Sequence, residues 1–389
     1  MVSPLVHPEC HTYYMTRITT GTVITGSGVW HPEHVLLNDE LCVAFNAFVD
    51  VENAKYAAEI AAGTRQPLRH SSSEFIEKGS GIKQRYLVDK TGVLDPERMC
   101  PNVPDRPDDQ ISVQAEFAVK AIERALADAG RVGEDVDLVV CGSSMMQRAY
   151  PAMAIEIQNA IGARGYGFDV VLGCSSATMA ITVASQALRA GSSTCAIAVA
   201  PELMSGHNNW RERDGHFLFG DASVALVLEP AERATKGWEI LSTRSQAKWS
   251  SNIRNNFGFL NRFDPSTQFN ADKLFYQLGR RVYKDVVPAA QKFIGEHLAI
   301  HGLAPTSVNR FWLHQANRNM NDLIAERLLG RAATLEEAPV IIPEYGNTAS
   351  AGAPIAFSLH NDDLVAGSLG LLTSFGAGYS FGSLLLQRL

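Results

Sequence analysis

Residues Val171 to Gly191 read VLGCSSATMAITVASQALRAG: the end of an apolar run, a lone cysteine at 174, then small and apolar residues at helical spacing. The fold turns on this junction, because an apolar strand that runs straight into a helix is the unit of an alternating α/β chain. Four readings of Cys174 compete: a buried small hydrophobe, a disulfide half, a metal ligand or a nucleophile. For an arbitrary cysteine in a soluble chain the buried hydrophobe is the default.

Composition narrows the setting. At 389 residues, with 46% hydrophobic and 19% charged residues, the chain has the balance of a soluble globular protein with one large or two medium cores. Its formal charge of −7 and the lack of any Lys/Arg run argue against nucleic acid as a partner. The cysteines at 10, 42, 100, 141, 174 and 195 form no CxxC pair and no Cys/His cluster with zinc spacing, so the disulfide and metal readings fall and no metal site is expected. MVSPLVHPECHTYYMTR has no apolar targeting core, and no apolar run is long enough to span a bilayer. A reducing cytoplasm fits best. Regular patterning begins only after Met15, so residues 1–14 read as an extension or an upstream start.

Outward from the junction the alternation continues on both sides. RITTGTVITGSGVW (17–30) reads as a strand entering a glycine turn, and NDELCVAFNAFVDVENAKYAAEIAAG as a helix. Residues 63–109 are polar excursions. QAEFAVKAIERALADAG reads as a helix ending on Gly130, VDLVVCGSS as a buried parallel strand, and PAMAIEIQNAIGA as a helix. GFDVVLGC reads as a second buried strand, and CAIAVAPE as a third. FGDASVALVLEP alternates like a strand exposed on one side. After a turn at 231–237, LFYQLGRRVYKDVVPAAQKFIGEHLAIHG reads as a helix, NRFWLHQAN as a strand with a loop, NDLIAERLLGR and APIAFSLHNDDL as helices, and GSLGLLTSFGAGYSFGSLLLQRL as a closing strand pair. Two α/β halves, 15–230 and 231–389, are predicted. The resemblance of FLFGDASVALVLE to TSFGAGYSFGSLLLQ hints at duplication.

A cysteine between strand and helix sits at the carboxyl edge of the sheet, near unpaired N–H groups and the positive end of the helix dipole. Both favour the thiolate, so a lowered thiol pKa is expected. The small neighbours Gly173, Ser175, Ser176 and Ala177 leave room for a substrate. A nucleophile also needs a proton partner and an oxyanion site. RFWLHQANRNM puts His314 just after a strand, with Gln315 and Asn317 behind it, and EYGNTASAGAPIAF puts Asn347 in a Gly-flanked loop entering a helix. Taken singly, the histidine is a structural one and the asparagine a helix cap.

Taken together, GCSSA around Cys174, HQAN after His314, YGNTAS around Asn347 and the closing GAGYSFG (376–382) have the order and spacing of a Cys-His-Asn condensing enzyme. The chain resembles β-ketoacyl-ACP synthase III, the initiating condensing enzyme of fatty-acid synthesis in the thiolase superfamily. The likeness runs from about Ile18 to Leu389 and includes GSGIKQR (79–85), AYPAMAIEIQ (149–158) and FGDASVALVL (219–228). It implies a thiolase-like five-layer αβαβα fold of two related halves, a homodimer, acyl-CoA and malonyl-ACP as substrates, and no cofactor. It implies further that Cys174 carries the acyl group, that backbone N–H groups of Cys174 and Ala377 form the oxyanion hole, and that His314 and Asn347 donate to the malonyl thioester oxygen during decarboxylation. An elongating condensing enzyme usually has two histidines in these roles, a biosynthetic thiolase a second cysteine in the terminal glycine loop, and a plant-type polyketide synthase a glycine-rich run after its histidine. None of the three matches here.

The chain also departs from the family. Where a Trp and an Arg four residues on commonly grip the CoA adenine, it has Phe75 and Gly79. Loss of that cation points to a longer, medium-chain acyl group making up the lost grip; the alternative is that Gly79 only marks a rearranged loop and another Arg, such as Arg85, takes over the adenine. Tyr150 matches a position that reaches across the dimer to the floor of the acyl tunnel, Asn317 falls among the substrate-binding positions, and Arg318 and Arg327 lie where basic residues dock ACP. Two alternatives stand beside this reading: a secondary-metabolic condensing enzyme or acyltransferase of the same fold, and a non-catalytic acyl-binding subunit, which loss of the thiol would mark.

Overall fold

Continuous Val, Ile, Leu and Ala runs become inner strands because helices cover both of their faces, and the connections between parallel neighbours must then be helical crossovers. A computed structural model describes residues 21–389; the extension expected at 1–14 lies outside the described residues. Nine strands make the main sheet: β1 (Thr22–Trp30), β2 (Leu138–Gly142), β3 (Tyr166–Val170), β4 (Ala196–Glu202), β5 (Ala222–Pro230), β6 (Trp238–Ser250), β7 (Arg310–Leu313), β8 (Leu369–Gly376) and β9 (Gly378–Arg388). Their spatial order is β3-β2-β4-β5-β1-β6-β9-β8-β7.

The order hides a repeat. β2 and β4 are parallel, β4 and β5 antiparallel, β5 and β1 antiparallel; in the same way β7 and β8 are parallel, β8 and β9 antiparallel, β9 and β6 antiparallel. Among the described residues the strands of the two sets pair only through Val23 opposite Glu239 and Ile24 opposite Trp238. Helices repeat as well: α1 (Val113–Ala129), α2 (Met153–Ala160) and α3 (Ser176–Arg189) in the first set correspond to α4 (Gly279–Ile300), α5 (Arg318–Leu329) and α6 (Gly352–Leu359) in the second. α3 and α6 lie between the two half-sheets and touch strands of both, while α1 and α2 cover one outer face and α4 and α5 the other. Three apolar cores fill the gaps between the five layers, and the central one includes Ile181, Leu226, Trp238, Trp312 and Phe357.

Most elements expected from the pattern are present, and the misses have physical causes. The helix predicted from Asn38 to Gly63 runs from Asn38 to Lys55, breaks at Tyr56 and resumes only over Ala57–Ala61. β5, expected to expose one face, is buried along its whole length because α1 and α3 cover it from opposite sides. β3, expected to be buried, is the sheet's edge and is only partly covered. β6 does not stand out from the turn region before it, since its WEILSTRSQAKWS runs from buried to exposed residues without a steady period.

Candidate active site

Cys174 stands in the turn between β3 and α3. The turn is held by Ser175 N–H to the Leu172 carbonyl (3.1 Å) and Ser176 N–H to the Gly173 carbonyl (3.0 Å), while Leu172 N–H donates to the Ser176 hydroxyl (2.7 Å). Gly173 takes φ +53, in the left-handed region that a side chain disfavours. His314 follows the last residue of β7. Asn347 precedes α6 and is pinned to residues 218–220 by two backbone bonds, its N–H to the Leu218 carbonyl (2.9 Å) and its carbonyl from Gly220 N–H (3.1 Å). Residues Gly376 and Ala377 close the site from the β8–β9 turn. A Cβ on Gly376 would lie 2.6 Å from the Cys174 Cβ and 2.9 Å from its Sγ, so only glycine fits against the thiol.

These pieces meet on one cavity of about 190 Å³, whose walls include Cys174, His314, Asn347 and Gly376. The rest of the lining is largely apolar, with Phe219, Val282 and Met320 among it. Phe275, Gln277 and Gly279 are shared with a wider cleft of about 840 Å³ that carries Arg254, Arg280 and Arg281. The same cleft carries Glu212, Asp214 and Asp272, so the narrow apolar passage opens under a polar mouth of mixed charge.

The electrostatics assign each group a state. His314 is 2% exposed, stands edge-on to Phe375 and has no partner on Nδ1; burial pushes its pKa down to about 4, so at neutral pH it is a neutral imidazole. The Asn347 Oδ1 accepts from Ala349 N–H (2.9 Å), which leaves the amide N–H₂ as the end available to a ligand. Backbone N–H groups of Ala377 and Cys174 both act on the Cys174 sulfur. The thiol nonetheless overturns the expectation of a lowered pKa. Burial pushes it up to about 12, the Glu202 carboxyl adds to that, and the two N–H groups with the Ser144 hydroxyl oppose without outweighing them. At rest Cys174 is a thiol.

Outside this cavity the expected residues fare unevenly. Arg85 is 0% exposed, and its guanidinium is spent on the Leu36 carbonyl (3.1 Å), Asn38 Oδ1 (2.8 Å) and the Phe217 carbonyl (3.0 Å). It cannot meet a ligand, which corrects its expected role. Phe75 does not lose its cation: the Arg213 guanidinium lies 3.7 Å from its ring centroid. Nothing local singles Arg213 out of WRERDG, and it meets residue 75 only through the fold. Asn317 does line the cavity, but its side chain caps α5, accepting from Met320 N–H (3.3 Å) and donating to the Gly79 carbonyl (2.8 Å). Gln315 is likewise structural, tied to Leu313, Pro339 and Ile341. Arg318 and Arg327 are about two and a half turns apart and so project from opposite sides of α5; they cannot share one docking face, as expected of them. Tyr150 is 84% exposed and packs into no core of the protomer.

Four further polar residues escape a reading of the sequence: Ser143, Ser144, Glu202 and Ser350, gathered at the carboxyl ends of β2 and β4 and at the start of α6. The signal available is their place at strand ends, where parallel sheets put their sites. Among the described residues no group of three or more His, Cys, Asp or Glu is placed to hold a metal ion.

Comparison with known proteins adds the following. Residues 168–248 match the family described as 3-oxoacyl-[acyl-carrier-protein] synthase III, and residues 298–388 match its C-terminal part. A β-ketodecanoyl-[acyl-carrier-protein] synthase of Pseudomonas aeruginosa is 50% identical over 347 residues, 89% of this chain and 99% of that protein. A β-ketoacyl-[acyl-carrier-protein] synthase III of Allorhizobium ampelinum is 30% identical over 329 residues, 83% of this chain and 93% of that one. Among solved structures, the 3-oxoacyl-[acyl-carrier-protein] synthase III of Aquifex aeolicus superposes with a TM-score of 0.73 at 26% identity, covering 94% of this chain and 100% of its own.

Proposed function

The chain belongs to the 3-oxoacyl-[acyl-carrier-protein] synthase III family, with its thiolase-like fold, and from that premise we propose how its own residues divide the work. The enzyme condenses an acyl-CoA primer with malonyl-ACP, releasing CO₂ and leaving a 3-oxoacyl-ACP. Cys174 takes the acyl group as a thioester. The N–H groups of Cys174 and Ala377 receive the oxyanion of each tetrahedral intermediate. His314, as a neutral donor, and the Asn347 amide hold the malonyl thioester oxygen while CO₂ leaves, and the enolate attacks the acyl-Cys174 carbonyl. The observation that carries this reading is the meeting of Cys174, His314 and Asn347 on one largely apolar cavity, with Gly376 packed against the sulfur.

The primer is proposed to be medium-chain, with octanoyl-CoA preferred. The support is the 50% identical relative named for a β-ketodecanoyl product: ten carbons less the two that malonyl contributes leave eight. The sequence argument expected a medium chain through a missing cation at Gly79; that step does not hold, since Arg213 lies over Phe75. Chain length must then be read by the acyl chain itself. Six methylenes beyond acetyl are worth up to about 5 kcal/mol of burial, and half of that already gives about 70-fold. With malonyl-ACP held constant, kcat/KM should therefore rise from acetyl- through butyryl- and hexanoyl- to a maximum at octanoyl-CoA, at least about 70-fold above acetyl. A maximum at acetyl-CoA overturns the assignment.

A homodimer is proposed on three features of one surface: the free edge of β3, Val171 62% exposed beside it, and Tyr150 standing out of the protomer. Sedimentation equilibrium should give twice the protomer mass; a monomer at micromolar concentration removes the proposal. A cytoplasmic setting agrees with the unpaired state of Cys42, Cys100, Cys141, Cys174 and Cys195. Among the described residues no helix is long and apolar enough to cross a membrane.

A further inference from the structure

An acyl chain on Cys174 has to find room, and the room is short. An apolar cavity of about 150 Å³ takes up one benzene ring, six carbons. On that scale the cavity of about 190 Å³ beside Cys174 takes about eight non-hydrogen atoms. An octanoyl group brings nine, and the malonyl thioester must still reach His314 and Asn347 in the same space. Part of the wall therefore has to yield when the chain enters.

Most of the wall is fixed by regular structure. Val282 and Val286 stand on α4, Met320 on α5 and Phe375 on β8. Phe219 is 1% exposed and sits in the stretch pinned to Asn347 on both sides, through the Leu218 carbonyl and Gly220 N–H. Phe275 differs from all of these. It comes from the stretch 251–278 that joins β6 to α4, is only half-buried, and sets its ring edge-on against Phe219, with centroids 4.7 Å apart and planes at 89°. Its backbone is held, since its N–H donates to the His207 carbonyl (2.9 Å) and the next two residues pair with Arg254 and Ile253. What can move is the ring. On its far side lies the cleft of about 840 Å³, whose wall Phe275 also forms, so the ring has space to turn into.

We propose that Phe275 sets the acyl chain length, its ring forming the movable end wall of the acyl cavity. A short acyl group leaves the ring on Phe219. An octanoyl group pushes it toward the cleft and takes the space it vacates, still enclosed by Phe219 and the walls from α4, α5 and β8. A longer chain must follow the ring into the cleft, where Arg254, Asp272 and Glu212 keep the surroundings polar and wet. Methylenes that stay in water add nothing to binding, so the gain per carbon stops there. The seven carbons of the Phe275 side chain beyond Cβ's bond to the backbone are thus the volume at stake. The inference rests on Cys174 as the acyl carrier and deepens the medium-chain reading of the same cavity.

The test is a competition in one tube. The full-length enzyme and three variants react with an equimolar mixture of butyryl-, octanoyl- and dodecanoyl-CoA, and intact-protein mass spectrometry at early times gives the ratios of the acyl-enzymes. Each buried methylene is worth about fourfold, so burying two of the four that separate one chain from the next gives about 15-fold. Phe275→Ala should raise the dodecanoyl-to-octanoyl ratio at least about 15-fold above wild type, because the longer tail gains the vacated space. Phe275→Trp should lower the octanoyl-to-butyryl ratio by at least about 15-fold, and Phe275→Leu should fall between Phe275→Ala and wild type. A merely structural role slows all three chains alike and leaves the ratios where they are. Thermal melting checks folding, and if Phe275→Ala does not fold, Phe275→Leu and Phe275→Trp decide. Ratios that stay within about fourfold of wild type, the worth of one methylene, overturn the proposal. Failure of the underlying readings looks different: the wild-type enzyme itself would then prefer butyryl-CoA, or the acyl mass would map to a residue other than Cys174.

Discussion

Cys174→Ala is expected to leave no acyl-enzyme and to lower condensation by at least about 10⁴-fold, while the protein stays folded. The size follows from the division of labour: acyl transfer needs a nucleophile on sulfur, and no other described cysteine lines the cavity. Folding should survive because alanine keeps the Cβ that already packs against Gly376, removing one sulfur atom where large truncations cost about 2–5 kcal/mol. Incubation with octanoyl-CoA followed by intact-protein mass spectrometry checks the first half, and malonyl-ACP turnover the second. Because His314 and Asn347 remain in place, the variant should still decarboxylate malonyl-ACP without making a 3-oxo product. If the Cys174→Ala protein is still acylated and turns over at the wild-type rate, Cys174 has no part in the mechanism.

How far the sequence carries this site can be seen residue by residue. Cys174, His314 and Asn347 each lie beside a local signature, a strand-to-helix junction, a strand end and a glycine-flanked loop, and the structure brings all three to one wall. What the sequence leaves open is set by contacts between distant segments. Arg213 reaches Phe75 only because its loop packs on the helix of residues 73–80, and Glu202 reaches Ser144 and Ser350 because the ends of β2 and β4 meet the start of α6. Contacts between distant segments also decide Arg85, which was expected as a cation for the adenine and is a buried brace for residues 36, 38 and 217. Electrostatic state is the least legible property of all. Helix position favours a Cys174 thiolate, but the depth of burial decides, and burial depends on how the second half closes over the first. Strand burial fails for a related reason: β5 carries a one-sided alternation that neighbouring helices override, and β3 carries a core-like run that the sheet leaves at its edge.

The second large effect concerns the two donors. His314→Ala and Asn347→Ala should each slow decarboxylation and condensation by about 10²- to 10³-fold, the cost of removing one preorganised donor from a developing oxyanion, while acylation of Cys174 changes far less. Asn347→Asp should be worse than alanine, since it replaces a donor with an acceptor whose charge opposes the enolate. The pH dependence separates this from proton transfer by His314. With its pKa held near 4 by burial, the imidazole is neutral across pH 6 to 8, so its contribution should be flat there and fall only as acid protonates it. An active imidazolium would behave in the opposite way, failing as pH rises through the histidine's own pKa. Single-turnover reaction of pre-formed octanoyl-enzyme with malonyl-ACP, measured apart from the acylation step, gives both readouts. If His314→Ala slows acylation as much as condensation, or if wild-type decarboxylation declines steadily from pH 6 to 8, the neutral-donor assignment is wrong and His314 works on the thiol instead.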